Sequence, residues 1–367
     1  MPTTGAKGNM TLSQLTGKSY DDSDWEKLLN QMTVDDMVTL VNTGGWQTAE
    51  ISSIGKIATS DCDGPNGLSN YVTGSNGTRF TTSVMLAQTW SKEVAAAYGD
   101  ALGQEFANAN NYGWYGPAMN LHRSAFSGRN FEYFSEDAVL SGLMASQEVN
   151  AAARYGVYAY LKHFAANDQE TNRCAFLLTY MTEQTLREDC LKPFEIVVKN
   201  FDFDSVVLGM MTAYNWLGTH PVICNSELLQ TVLRDEWGFR GVVISDYNGS
   251  YGYQKTDSAI RNGNDLMLGY GMSESNKLEN MESPTLVKAL RQACKNILYT
   301  VANSGYYADG SAGNGGMSNM NKIFVAVDVC TVLLVCGMET LVILRWLKKK
   351  KAVVIVTETA SEDPANS

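Results

Sequence analysis

The segment GFRGVVISDYN, Gly238 to Asn248, decides the fold class. Its β-branched run, Val242 to Ile244, follows a glycine turn and predicts a short buried strand that ends just before Asp246. The C-terminal ends of parallel strands are where α/β barrels carry their working side chains. Asp246 is therefore the first candidate for a reactive carboxylate. An aspartate that caps the following helix would give the same pattern, so both interpretations stand at this point.

Strand and helix patterns alternate on both sides of this segment. Apolar runs bounded by turn residues predict further strands at Ile57 to Gly67, Tyr115 to Leu121, Ser205 to Asn215 and Arg261 to Leu268, and a strand with its loop over Val157 to Arg173. Amphipathic patterns predict helices around an N-cap at Thr33, after Ser91, and over Asp137 to Arg154, Thr182 to Asn200, Asn225 to Trp237 and Ser283 to Tyr299. This alternation is typical of parallel strands with helical crossovers. We expect an α/β fold, a TIM-like (β/α)8 barrel that is complete or lacks some strands.

The chain divides into five predicted regions. We expect a flexible N-terminal segment over 1–24, the barrel over 25–302, a Gly/Ser/Asn-rich linker over 303–322, a transmembrane helix over 323–347 and a basic and polar cytoplasmic tail over 348–367.

The apolar stretch Ile323 to Leu344 is long enough to span a bilayer, which needs about 20 apolar residues. The basic run Lys348 to Lys351 on its C-terminal flank marks the cytoplasmic side. We therefore expect a single-pass protein of the cell membrane with an extracytoplasmic barrel and a cytoplasmic C-terminus. Asp328 and Glu339 are unfavourable in lipid, and a buried core helix is the alternative.

Composition argues against several classes of function. The formal net charge is -11, whereas binding to nucleic acid requires a basic surface. The seven cysteines are scattered without a CxxC pair, and the chain has three histidines. These numbers favour neither a zinc site nor a disulfide framework. We expect no nucleic-acid partner, no metal and no cofactor.

Polar motifs cluster where the predicted strands end. DGPNG begins at Asp63, SGRNFEYFSED surrounds Arg129, KHFAANDQETNR runs from Lys162 to Arg173, and MTAYN contains Tyr214. Aromatic rings interleaved with fixed charges suit a sugar site, because rings stack on the CH faces of a pyranose and charged groups bind its hydroxyls. A plain turn at Asp63 and a structural ion-pair cluster around Arg129 are the alternatives.

With these motifs in this order, and GFRGVVISDY after them, the sequence resembles the barrel domain of glycoside hydrolase family 3, β-glucosidase type. The resemblance covers Trp25 to Leu268. It implies that Asp246 is the catalytic nucleophile and that Tyr214 lies beside it. It also implies two further groups of residues: those that bind the hydroxyls of the terminal sugar, Asp63, Arg129, Lys162 and His163, and those that support the site, Glu170 and Arg173.

The resemblance implies a retaining glycosidase that removes a terminal β-linked sugar, β-D-glucose, from oligosaccharides or glucosides through a covalent glycosyl-enzyme. We expect Arg129 and Lys162 to lower the pKa of Asp246 and keep it ionised.

The general acid/base is left unknown. In this family it usually comes from an α/β sandwich domain, and the loop here reads KHFAANDQET instead of a KHFPGHG-type sequence. We therefore expect a partial chain whose sandwich domain lies upstream or acts in trans. The alternative is a catalytically impaired, membrane-tethered carbohydrate-binding module.

Overall fold

The computed structural model describes residues 1–70, 72–248, 252–271, 277–308 and 319–359. The chain forms two compact units, Met1–Gly315 and Gly316–Ser367.

The described residues of the first unit form short strands in two sheets. The strands are β1 Gln47–Thr48, β2 Thr59–Cys62, β3 Gly113–Trp114, β4 Tyr158–Phe164, β5 Leu178–Thr179, β6 Gly209–Thr212, β7 Trp216–Leu217, β8 His220–Pro221 and β9 Val243–Ile244. The main sheet has the order β1-β2-β3-β4-β6-β9, and the small sheet has the order β5-β7-β8. Strands β2, β3, β4, β6 and β9 are parallel, as the alternation predicts, while β1 is antiparallel to β2.

The main sheet differs from the predicted (β/α)8 barrel, because its described part has six strands and curls. The predicted strand Arg261 to Leu268 is reduced to one parallel bridge between Ile244 and Leu266. Beyond that bridge, Met267 donates a backbone hydrogen bond to Val41 and accepts one from Gly44, at 2.8 and 3.0 Å. A Cβ at Gly44 would lie 2.6 Å from the Met267 carbonyl oxygen, so only glycine permits this close approach of the two backbones.

Helices surround the main sheet. They are α1 Asp24–Gln31, α2 Val34–Asn42, α3 Ser83–Ala87, α4 Lys92–Asn108, α5 Ala138–Ala153, α6 Glu183–Thr185, α7 Lys192–Asn200, α8 Thr256–Arg261 and α9 Pro284–Ala302. Short 3₁₀ helices lie at Leu12–Leu15, Ser52–Ile54 and Val222–Cys224, and π-helical segments lie at Leu186–Cys190 and Glu227–Glu236. The predicted caps Thr33 and Ser91 accept hydrogen bonds from backbone N–H groups in the first turn of their helices, and Asp137 caps α5 in the same way.

Strand β4 is the centre of the sheet, and all of its residues are buried. Side chains alternate along a strand, so Tyr158 and Tyr160 share one face with Lys162. The hydroxyls of both tyrosines donate hydrogen bonds to the buried carboxylate of Asp61, at 2.7 and 3.3 Å. Burial raises the pKa of Asp61 to about 6. Asp61 and the two tyrosine hydroxyls thus form a polar layer inside the sheet. Lys162 and Asp63 lie two residues further along the same two chain segments.

The globular unit includes residues on both sides of the predicted 25–302 range. Leu12 and Leu15, in the segment expected to be flexible, are fully buried in the hydrophobic core. Tyr307, in the expected linker, is also fully buried. The Tyr306 hydroxyl accepts a hydrogen bond from the backbone N–H of Ser60 at 2.8 Å. Of the remaining linker residues, 309–318 lie outside the described ranges.

The second unit contains helix α10, Asn319–Thr359. Within it, Val329–Lys349 is long and apolar enough to cross a membrane by length and composition. This stretch overlaps the predicted transmembrane helix 323–347. Residues 360–367 of the predicted tail lie outside the described ranges.

Candidate active site

The predicted site residues lie together at the C-terminal edge of the main sheet. Asp63 follows β2, Tyr214 follows β6 and Asp246 follows β9, while Lys162 and His163 lie within β4. The pairing of β4 with β6 shifts its register between Leu161 and Phe164, which gives these two neighbours an irregular backbone. Both Lys162 and His163 therefore contribute side chains to the same site.

Lys162 connects two carboxylates. Its Nζ lies 3.3 Å from an oxygen of Asp63 and 3.5 Å from an oxygen of Glu132. Glu132 also accepts a 2.6 Å hydrogen bond from Nε of Arg129. Although burial favours the protonated form, Lys162 and Arg129 hold the pKa of Glu132 below 4.5. Opposite charges therefore alternate across this part of the site.

Glu132 is a site residue that the sequence did not single out. It lies in SGRNFEYFSED among other acidic residues, and spacing alone does not show which of them faces inward. Its position three residues after Arg129 was the available signal, because the two side chains pair over one turn of chain.

Arg173 connects the candidate nucleophile to Glu170. Its Nη1 donates a 3.3 Å hydrogen bond to Oδ2 of Asp246, and its Nε forms an ion pair with Oε2 of Glu170 at 2.9 Å. The guanidinium carbon lies 4.6 Å from the centre of the Tyr214 ring. Arg129 approaches the other oxygen of Glu170 at 3.9 Å. Glu170 thus positions two arginines, and Arg173 contacts Asp246 directly.

Arg129 and Lys162 lower the pKa of Asp246, as predicted, but the net shift of this pKa is upward, which the prediction did not include. Burial raises the pKa of Asp246 above 3.8, and this effect exceeds the opposing effects of Arg173, the Tyr247 backbone N–H, Arg129 and Lys162. The side chain is 13% exposed. Its carboxylate is therefore partly desolvated. The nearby cations favour its ionised form, against the effect of burial.

The helix-cap alternative for Asp246 is not what the structure shows. The next described helix, α8, begins at Thr256 with Lys255 as its N-cap. The Asp246 carboxylate instead accepts a 2.7 Å hydrogen bond from the backbone N–H of Tyr247. The carboxylate therefore belongs to the cluster of charged side chains.

His163 is a buried neutral side chain. Burial, together with the charges of Arg129, Lys162 and Arg173, lowers the pKa of His163 well below 6.5. Its Nε2 lies 3.8 Å from an oxygen of Asp246, and its Nδ1 lies 3.4 Å from the hydroxyl of Tyr133. A neutral imidazole at this position can exchange hydrogen bonds with a polar ligand.

Aromatic residues border the cluster next to Asp63. Trp46 Nε1 donates a 3.4 Å hydrogen bond to Asp63, and its ring lies 5.9 Å from the rings of both Tyr247 and Tyr270. The side chain of Asp63 is 44% exposed, so this part of the site opens to solvent. Sequence reasoning missed Trp46, because an isolated tryptophan before the first strand carries no pattern.

The carboxylates of the cluster are paired with nitrogen cations. Among the residues that the structure describes, no group of three His, Cys, Asp or Glu side chains has an arrangement that would hold a metal ion.

The fold and site define an α/β barrel-type domain whose polar site lies at the C-terminal edge of its curled sheet. Residues 46–296 match the model of the glycosyl hydrolase family 3 N-terminal domain. The chain is 37% identical over 256 residues to beta-glucosidase B of Emericella nidulans, covering 68% of this chain and 29% of that protein. It is 36% identical over 238 residues to a beta-glucosidase of Rhizobium radiobacter, covering 64% and 28%.

Solved structures of beta-glucosidases also match this chain. Beta-glucosidase 3B of Thermotoga neapolitana, in complex with alpha-D-glucose, matches with a TM-score of 0.67 and 32% identity over 80% of this chain and 45% of that one. Beta-glucosidase of Kluyveromyces marxianus, in complex with glucose, matches with a TM-score of 0.70 and 30% identity, over 81% and 36%. The chain belongs to glycosyl hydrolase family 3, through its N-terminal domain, and spans under a third of the curated relatives above.

Replacing Lys162 by alanine should weaken glucose binding. Each lost charged hydrogen bond is worth about 1.5–3 kcal/mol, and the change also leaves Glu132 without one of its two cations. Calorimetric titration of glucose should show a loss of affinity of tenfold or more. The matched control is Lys92→Ala, an exposed lysine at the start of α4. Equal affinity in both variants would remove Lys162 from the sugar site.

Proposed function

We propose that this chain carries the glucoside-binding and nucleophile part of a retaining β-glucosidase, which removes terminal β-D-glucose from oligosaccharides or glucosides. The observation that carries the proposal is the contact between Asp246 and Arg173, in one cluster with Asp63, Arg129 and Lys162. The family and the names of its relatives support the substrate class.

In the proposed reaction, Asp246 attacks the anomeric carbon of the bound sugar as the bond to the leaving oxygen breaks. A proton from a general acid reaches that oxygen, and a covalent glycosyl-enzyme forms on Asp246. Water then attacks the same carbon, gives up a proton to the base and releases Asp246 as the carboxylate. Asp63, Arg129, Lys162 and His163 would hold the sugar hydroxyls, so that attack is effectively intramolecular.

Partial burial of Asp246 suits this role. A carboxylate with few water contacts is a better nucleophile, provided that nearby cations keep it ionised. Arg173 supplies that charge at 3.3 Å. Tyr214 lies under the Arg173 guanidinium, and its hydroxyl donates a 2.5 Å hydrogen bond to the Tyr247 backbone, which fixes the loop that carries Asp246.

The general acid/base is not assigned within the described chain. Glu170, the first carboxylate to examine as an alternative acid, contacts Arg129 and Arg173 and so positions these two arginines. Asp168 contacts Arg123 at 3.7 Å. We propose that an α/β sandwich domain, upstream or in trans, supplies the acid. Exposed rings at Phe126 and Phe131, which are 93% and 57% exposed in the segment that carries Arg129, offer an apolar surface for it.

A second candidate function is a membrane-tethered sugar-binding module without turnover. The observation that favours it is that Glu132, Glu170 and Asp63, the carboxylates around the site, all contact lysine or arginine side chains. A module of this kind would bind glucose but form no covalent intermediate.

Reaction with a 2-fluoro β-glucoside carrying a good leaving group separates the two functions, because such a reagent needs no acid to form the covalent intermediate. We expect one labelled peptide, containing Asp246, by mass spectrometry. Asp246→Asn should abolish labelling, while Asp257→Asn, a change in an exposed carboxylate of α8, should not. Labelling at another carboxylate would disprove the role of Asp246, and glucose binding without labelling would favour the binding module.

Aryl β-glucosides with good leaving groups test the missing acid. We expect the chain to turn them over slowly and azide to raise the rate and give a glycosyl azide, because a small anion needs no base to attack the intermediate. The rate with cellobiose, which has a poor leaving group, should stay near zero. Rapid cellobiose hydrolysis by this chain alone would show that a carboxylate within it acts as the acid, and Glu170→Gln would be the first variant to examine.

We further propose that α10 anchors the protein in the cell membrane as a single span, with the barrel domain outside and the C-terminus in the cytoplasm. Support comes from the apolar stretch Val329–Lys349, whose large apolar side chains are 45% or more exposed, and from the basic residues at its end.

Alkaline carbonate extraction tests the anchor. The full chain should remain in the membrane pellet, because a spanning helix is not released by charge or pH. A variant with Leu334→Lys and Val335→Lys should appear in the supernatant, since a charge at the centre of a span costs about 2.5–3.5 kcal/mol. Protease added to sealed right-side-out vesicles should digest the globular unit. A soluble wild-type chain, or a protected globular unit, would contradict the proposed topology.

A further inference from the structure

A cluster of three aromatic rings lies on the small sheet, outside the cluster around Asp246. The Phe176 ring lies 5.4 Å from that of Trp216 and 5.8 Å from that of Tyr253, and the Trp216 and Tyr253 rings are 5.8 Å apart. Phe176 is 63% exposed. These contacts hold an aromatic surface in place without burying it.

Backbone pairing fixes the position of this surface. Strand β7 pairs in parallel with β5, with Trp216 opposite Leu178, and Trp216 donates a 2.9 Å backbone hydrogen bond to Leu177. Phe176 has a φ of 61°, where bulky residues are rarely found, so its conformation depends on these neighbours. Alternate residues after it, Leu178 and Tyr180, are 46% and 68% exposed, so one face of this edge strand is an open apolar surface.

A cavity of about 500 Å³ adjoins the rings. Trp216 and Tyr253 line it together with polar side chains, among them Asn225, Glu227, Lys255 and Ser258. Within the described part of the chain, the indole N–H of Trp216 has no hydrogen-bond partner although that atom is buried. The proposed reaction uses none of these residues.

The chemistry of this cavity fits a sugar. Pyranose rings stack on tryptophan and tyrosine through their CH faces, and amide, hydroxyl and indole N–H groups bind their hydroxyls. Lys255 and Glu227 place one charge of each sign on the lining, which favours a neutral ligand over an anion. A volume of about 500 Å³ lies within the usual range of small-molecule sites, about 300–1,000 Å³.

The aromatic cluster is also connected to the candidate active site. The Tyr253 hydroxyl donates a 3.0 Å hydrogen bond to the backbone carbonyl of Tyr214, whose ring lies under Arg173. This hydrogen bond joins the loop that carries Tyr253 to the strand end that carries Tyr214. Aromatic rings beside polar side chains in one cavity favour a carbohydrate over a protein as the occupant.

We propose that the cavity lined by Trp216 and Tyr253, with Phe176 at its edge, is a second carbohydrate-binding site, which takes a neutral β-linked gluco-oligosaccharide. It is separate from the residues that hold the terminal glucose. The inference rests on the proposed function for the class of sugar, while the site itself rests on the rings and the cavity.

Binding of cellotetraose and of glucose tests the proposal, measured by calorimetry on the full chain in a detergent without a sugar headgroup. All variants carry Asp246→Asn, which prevents turnover. Trp216→Ala should reduce the ratio of cellotetraose affinity to glucose affinity at least fivefold. Trp90→Ala, which removes a 75% exposed tryptophan elsewhere, is the matched control and should leave the ratio unchanged. Asp63→Ala should weaken glucose binding and leave measurable cellotetraose binding.

Phe176→Ser is a second variant in case Trp216→Ala misfolds, because the Phe176 side chain is mostly exposed. Circular dichroism and the thermal unfolding midpoint show whether both variants fold. A ratio that stays at the wild-type value in folded Trp216→Ala and Phe176→Ser would overturn the proposal and leave the surface to a protein partner. An Asp63→Ala variant that binds glucose as tightly as its parent would instead count against the proposed function. The two failures are therefore distinguishable.

Discussion

The contact between Arg173 and Asp246 is the interaction on which the site depends. Asp246 follows a strand that places it in a partly desolvated position, where an unpaired carboxylate would take up a proton. Arg173 opposes this at 3.3 Å, and Glu170 holds Arg173 from its other side at 2.9 Å. Removing one partner of such a buried pair typically costs about 3–5 kcal/mol, because the remaining charge is left uncompensated. The loop from Lys162 to Arg173 therefore has both a structural and a chemical role.

A second row of charges follows the same rule. Arg129 pairs with Glu132, Glu132 with Lys162, and Lys162 with Asp63, so that cations and carboxylates alternate. Glu132 sits between two cations and Lys162 between two carboxylates, so each of these buried groups has opposite charge on two sides. Asp63 is the most exposed member of the row, so its carboxylate faces the space in which a ligand would lie.

Much of this arrangement could be predicted from the sequence. Strand ends are marked by short apolar runs followed by polar residues, and helix starts are marked by caps, so Asp63, Lys162, Tyr214 and Asp246 were placed correctly at one edge of the sheet. Thr33 is the N-cap of α2, as predicted.

Other features depend on three-dimensional packing and were missed. The main sheet has the incomplete form of the predicted barrel, and the sequence did not show that the chain after β9 pairs with the backbone at Gly44. The raised pKa of Asp246 was not predicted, because it results from burial, and burial is not visible in a pattern of residue types. Glu132 and Trp46 were overlooked, since nothing in their spacing shows which way their side chains point.

The most direct test of the central claim is the pH dependence of inactivation by the 2-fluoro β-glucoside in Arg173→Gln. Asp246 reacts only when ionised, so the rate rises with pH through its pKa. Without Arg173 the carboxylate loses its closest cation, and the midpoint should move to higher pH by about one to three units, while Arg173→Lys should shift it less. An unchanged midpoint, or one at lower pH, would contradict the claim that Arg173 keeps Asp246 ionised.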